Sequence, residues 1–138
     1  MSLSRIGILI AVCLCTSACS EEDYAEVPVY PVTGTVTVKG QPAAGATVVF
    51  HPREDVGMTK GNKPFARVGD DGVFQATTYV SGDGVPAGAY SVTVVWPQDS
   101  NARGPSPDRL NNRYSNPTSS NLSATITEGE NKLPPWDL

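Results

Sequence analysis

One histidine, three cysteines and a few glycine-flanked aspartates are the residues of this 138-residue chain whose types could do chemistry. His51 stands alone. A catalytic or structural zinc takes three or four His, Cys, Asp or Glu ligands, so a His-x-x-Glu…His site is excluded. A serine nucleophile needs a base held by a third group. The chain has no Gly-x-Ser-x-Gly elbow, and His51 is its only imidazole. With Phe50 directed inward, His51 is expected to point outward at the end of a strand. Asp70, Asp71 and Asp83 lie beside glycines, but calcium asks for six to eight oxygens and an Asp-x-Asp-x-Asp-Gly type of loop. Tight-turn chemistry accounts for them instead. Tyr79, Trp96, Tyr114 and Trp136 could stack on a sugar, although Trp96 falls in phase with the apolar side of its strand and Trp136 closes the last one. Arg103, Arg109 and Arg113 are irregularly spaced and read as a solvated loop. The expectation is of a chain with no catalytic, cofactor-binding or metal-binding residues.

The cysteines say where the chain goes. Cys13, Cys15 and Cys19 all fall in the first nineteen residues, so the remainder can build neither a disulfide framework nor a thiolate metal site. Residues 1–18 have the make-up of a signal peptide. Arg5 is their only charge, Ile6 to Leu14 are apolar, and the small residues Thr16, Ser17 and Ala18 precede Cys19. The apolar run is shorter than the roughly 20 residues that span a bilayer. The small-small-Cys ending resembles the lipobox of bacterial lipoproteins, which implies cleavage before Cys19 and lipidation of that residue. Residues 19–31 are acidic and carry Pro28 and Pro31, as a short tether would. Ser20 after the cysteine resembles the outer-membrane sorting class. The chain is acidic, with a formal net charge of −4, and has no Lys/Arg cluster. That excludes nucleic acid as a partner, since neutralising phosphates dominates such binding.

Thirteen glycines and twelve prolines suit an all-β chain of short strands. From Pro86 to Trp96, Tyr90, Val92, Val94 and Trp96 share one face, while Ser91, Thr93 and Val95 share the other. This period of two marks the central half-buried strand. Val32 to Val38 alternates in the same way, and Ala46, Val48 and Phe50 face inward on the return strand. Phe65–Val68 and Val73–Thr77 flank Gly69-Asp70-Asp71-Gly72, a hairpin signal. Residues 52–64 read as a loop. The 25 residues from Pro97 to Asn121 have only Leu110 and Tyr114 as large apolar groups and read as a second, long loop. Leu122–Thr127 alternates again, and Lys132 to Leu138 is a last strand that Pro134 and Pro135 confine to a sheet edge. About seven strands result, the number and spacing of a two-sheet sandwich. Val36, Val48, Phe50, Phe74, Tyr90, Val92, Val94, Trp96 and Ile126 are the expected core.

Several of these residues carry a resemblance. Gly34-Thr35-Val36 followed by residues 40–50, Asp70-Asp71-Gly72-Val73-Phe74, and Pro86-Ala87-Gly88-Ala89-Tyr90 resemble the signatures of carboxypeptidase regulatory-like domains. Arg113-Tyr114-Ser115, Ser120-Asn121-Leu122, Glu128-Gly129-Glu130-Asn131 and Asp137-Leu138 are similar to segments of a group of small bacterial lipoproteins. The resemblance covers residues 32–138. It implies a seven-stranded antiparallel β-sandwich of transthyretin-like architecture, an accessory module without catalysis. A transthyretin-like hydrolase would need further histidines and a Tyr-Arg-Gly-Ser tail, which this chain lacks. The combined expectation is a signal peptide over 1–18, a tether over 19–31 and a sandwich over 32–138. The domain is held at the membrane by a lipid on Cys19, on the outer-membrane or periplasmic side, or is secreted if Cys19 is not acylated, with a structural or protein-interaction role in the envelope. A carbohydrate-binding module is the alternative, so the expected partner is an envelope protein or glycan.

Overall fold

The computed structural model of the chain describes residues 26–59 and 61–138. Residues 1–18 and Cys19 lie outside them. Alternation of buried and half-buried residues runs along β1 (Val32–Val38). Valines on one side and threonines on the other fit a pleated, half-buried surface. The chain then turns at Lys39 and Gly40, both at positive φ, to give the two-residue β2 (Gln41–Pro42) antiparallel to β1. β5 (Val73–Gln75) also joins β1 antiparallel. The chain end adds β8 (Asn131–Lys132) and β9 (Trp136–Asp137), both parallel to β1. The second sheet has the order β4 (Phe65–Arg67), β3 (Thr47–Pro52), β6 (Gly88–Val95), β7 (Leu122–Ile126), antiparallel throughout. No helix occurs among the described residues.

The core is the layer between these sheets. Val32, Val36 and Phe74 enter it from the first sheet, and Val48, Phe50, Tyr90, Val92, Val94 and Ile126 from the second. Phe50 joins the layers. Its ring lies edge-on to Tyr90, with centroids 6.1 Å apart, and 6.4 Å from Phe74 of the opposite sheet. Burying each such side chain contributes about 1.5–3 kcal/mol. Tyr90 carries a hydroxyl into this apolar layer and donates it to Pro86 O at 2.7 Å. Burial pushes its phenol up to about 12.

Five features depart from the expectations. Nine strands stand among the described residues where seven are expected, because Gln41–Pro42 pairs and because the last strand splits. Between Thr33↔Lys132 and Val36↔Trp136, β1 advances three residues and its partner four. The extra residue falls where Pro134 and Pro135 cannot donate, and makes a bulge. The two pieces run parallel to β1, so the first sheet is mixed rather than antiparallel. The Asp70–Gly72 turn does not close a two-stranded hairpin within one sheet. β4 belongs to one sheet and β5 to the other. Phe65 and Thr77 exchange amide bonds at the far end of this arch, and Gly69 N–H reaches Val73 O at its near end. Trp96 is half-buried just beyond β6 and is not a core residue. Finally, the last residues assigned to the tether lie on the domain: Tyr30 exchanges two backbone bonds with Val85, and Val27 N–H donates to the Tyr79 hydroxyl.

Candidate functional site

Two regions carry polar side chains in arrangements beyond what strands require. The first is the segment from Pro97 to Asn121. It contains no strand, yet it is fastened by the Asp108 carboxylate, which is buried. Oδ1 accepts from Trp96 N at 2.8 Å and Leu110 N at 3.0 Å, and Oδ2 from Asn112 N at 3.0 Å. A carboxylate that accepts several amides replaces a strand ladder as the partner of the backbone. Arg109 N–H then donates to Trp96 O at 2.7 Å, and its guanidinium lies 4.7 Å above the Trp96 ring. That indole donates Nε1–H to Ala44 O. Further along, Val94 N–H reaches Tyr114 O, and the buried Ser120 hydroxyl donates to Val92 O at 2.6 Å. The segment therefore lies along β6 as an ordered layer. Asn111, Asn112 and Asn121 take positive φ, the region asparagine tolerates best after glycine. Leu110 is buried.

The second region is the outer face of the β3–β6 pair. Antiparallel register sets His51 opposite Ser91, and Ser91 opposite Ser123. The side chains two residues on, Arg53 and Thr93, share that face because strand side chains alternate. His51 Nε2 lies 2.9 Å from Thr93 Oγ1, and Arg53 Nε–H donates to Ser91 Oγ at 3.0 Å. Thr93 is buried although polar. His51 is half-buried; burial, and then the Lys63 charge, hold its imidazole below the ordinary histidine value. His51 points outward, as expected, but it sits within a polar cluster rather than alone. Ser91 is not aligned as a nucleophile towards His51, since its oxygen accepts from Arg53. The Thr93 hydroxyl that does meet the imidazole is shielded from any substrate.

The remaining candidates are absorbed by structure. Asp71 Oδ1 accepts from Val73 N, and Asp83 accepts from the amides of Thr78, Tyr79 and Val80. Burial alone would raise the Asp83 carboxyl, but these amides and that of Gly84 hold it below the usual carboxylate range. Asp137 closes the chain onto β1 by accepting from Gly40 N and Thr37 Oγ1, which lowers its carboxyl too. Among the described residues no three of His, Cys, Asp and Glu are grouped as a metal site. Trp136 stacks on Phe74, with centroids 6.0 Å apart and planes at 18°. Arg113 covers Tyr114 at 5.5 Å. The four aromatics that could have formed a sugar platform are thus engaged singly with their own chain. Cys19, the expected lipidation site, lies outside the described residues. No protein-family model matches the chain, and neither does any curated protein.

The His51 cluster was beyond sequence reasoning because register was. Ser91 and Thr93 were correctly placed on the outer face of their strand. Only the pairing of β3 with β6 puts them against His51. The one available signal was the shared outward phase of His51, Ser91 and Thr93 on two strong strands. Asp108 gave less: a lone aspartate after a proline in a loop does not announce that it collects three amides.

Proposed function

We propose that this chain is a non-catalytic module of the bacterial cell envelope, anchored by a lipid on Cys19, which presents the segment 97–121 to a protein partner. The observation that carries the reading is Asp108 and its three amide bonds. They hold an irregular segment in one shape, and a recognition surface ordered before binding avoids the entropy of ordering at the interface. Loops set on a rigid sheet are the usual place for recognition. The transthyretin-like, carboxypeptidase regulatory-like architecture belongs to this proposal. Its support is the two facing sheets together with the motifs quoted above. The protein-interaction role is preferred over carbohydrate binding because Trp136 is stacked on Phe74 and Trp96 is covered by Arg109, which leaves no coplanar aromatic pair among the described residues.

Intact mass and membrane fractionation of the native chain and of Cys19→Ala test the anchor. The expected result is a mass gain of acylation and sedimentation with membranes, both lost in the variant. A photocrosslinking residue at exposed Arg103 or Arg113, compared with one at exposed Thr125 on β7, tests the surface in intact cells. A discrete adduct from the first two positions alone is expected. An unmodified chain, or adducts equal at all three positions, would contradict the reading.

A further inference from the structure

We infer that the outer face of β3 and β6 holds a binding site for a phosphate group, built from Arg53, Ser91, His51 and Thr118. The site is a shallow basin of about 460 Å³, with Pro52 and Pro117 as its other lining residues. It does not depend on the anchor at Cys19, but it shares Pro117 and Thr118 with segment 97–121 and so rests on that segment being ordered.

The donors are set by the fold. Arg53 N–H is bonded to Ala89 O, and its side chain donates Nε–H to Ser91 Oγ. That bond fixes the plane of the guanidinium and keeps its terminal N–H groups for a ligand, the fork geometry that suits phosphate. Because Ser91 Oγ accepts from Arg53, its own proton is directed elsewhere, as a second donor. Thr118 adds a hydroxyl to the lining, on a turn in which Thr118 N–H donates to Asn116 Oδ1. The imidazole is the third kind of donor. Thr93 Oγ1 can accept Nε2–H, so a protonated His51 keeps its bond to Thr93 and offers Nδ1–H outward. Donors arriving from a planar fork, two hydroxyls and a ring exceed what the two oxygens of a carboxylate could use. They suit a tetrahedral group.

Charge agrees. The chain is acidic as a whole, yet the charge that bears on His51 is that of Lys63 from the segment before β4, and Arg53, one residue past β3, lines the same basin. β6 contributes only Ser91 and Thr93, and the facing turn only Pro117 and Thr118. Glu54 and Asp55 turn the other way, lining with Lys63 the neighbouring hollow of the 52–64 loop. An anion in the basin would favour the charged imidazole that burial and Lys63 disfavour, so binding and protonation of His51 should support one another.

Because His51 is the only histidine, its ring resonances in the full chain report on this site without assignment. The experiment is an NMR pH titration of that ring with and without inorganic phosphate, repeated in Arg53→Gln. Phosphate should raise the His51 midpoint by about one pH unit, and Arg53→Gln should abolish most of that rise. A parallel titration with glycerophosphoglycerol separates the sources. A response to this phosphodiester as well as to phosphate assigns the site to a lipid headgroup. A response to phosphate alone assigns it to a phosphate monoester or the free ion. A midpoint indifferent to both, or one that moves equally in Arg53→Gln, would overturn the proposal.

Discussion

Asp108 is the residue on which the largest irregular part of the molecule rests. Its two oxygens are used unequally: Oδ1 serves Trp96 and Leu110, and Oδ2 serves Asn112 alone. Asp108→Ala strands three amides in a region where the Leu110 side chain is buried. An unsatisfied buried donor costs 1–3 kcal/mol, so the variant should lose about 3 kcal/mol in chemical denaturation and melt roughly 10 °C lower. Asp108→Asn keeps an acceptor for Trp96 and Leu110 and presents an amide to Asn112, so it should cost clearly less. Equal losses in the two variants would show that packing, not this carboxylate, orders the segment. His51 has a hydroxyl partner at 2.9 Å, but that hydroxyl is buried, and the half-buried Ser91 accepts from Arg53 instead.

At the scale of elements, β1 is the meeting place of four others, and Gly34 shows how one of them is seated. A Cβ at Gly34 would collide with Phe74 Cζ, because the ring of its cross-strand partner lies over the glycine. Gly34→Ala should therefore displace Phe74, and with it the Trp136 stack, at a cost of about 2 kcal/mol. Gly104→Ala, where a Cβ meets nothing within 4 Å, should stay within about 0.5 kcal/mol of the parent. If denaturation midpoints of the two variants coincide, the close approach of Phe74 is not a constraint. Alternation made β1, β3, β6 and β7 legible from sequence, since their apolar residues keep a period of two and one face is buried. It also placed Val36, Val48, Phe50, Phe74, Tyr90, Val92, Val94 and Ile126 in the core. It overreached at Trp96, because β6 ends at Val95 and the next residue is turned aside by Asp108. The arch from β4 to β5 misled for a different reason. A glycine-rich turn specifies that the chain reverses, not that both arms find partners in the same sheet.

The molecule as a whole is two facing sheets with one side of the second covered in part by an ordered segment. Interior and exterior differ in legibility: hydrophobic periodicity reports what is buried, whereas the surface depends on register and on long-range polar bonds that leave little local trace. Segment 97–121 is held by Asp108 as a fixed surface, and amide hydrogen exchange on the full chain measures that directly. The amides of Trp96, Leu110 and Asn112, and of Val94 where it meets Tyr114, should exchange as slowly as those of β3 and β6, because each is bonded within the folded layer. Exchange at these four positions as fast as in an open peptide, with β3 and β6 still protected, would contradict the account. The sheets would then carry a loose loop and no prepared surface.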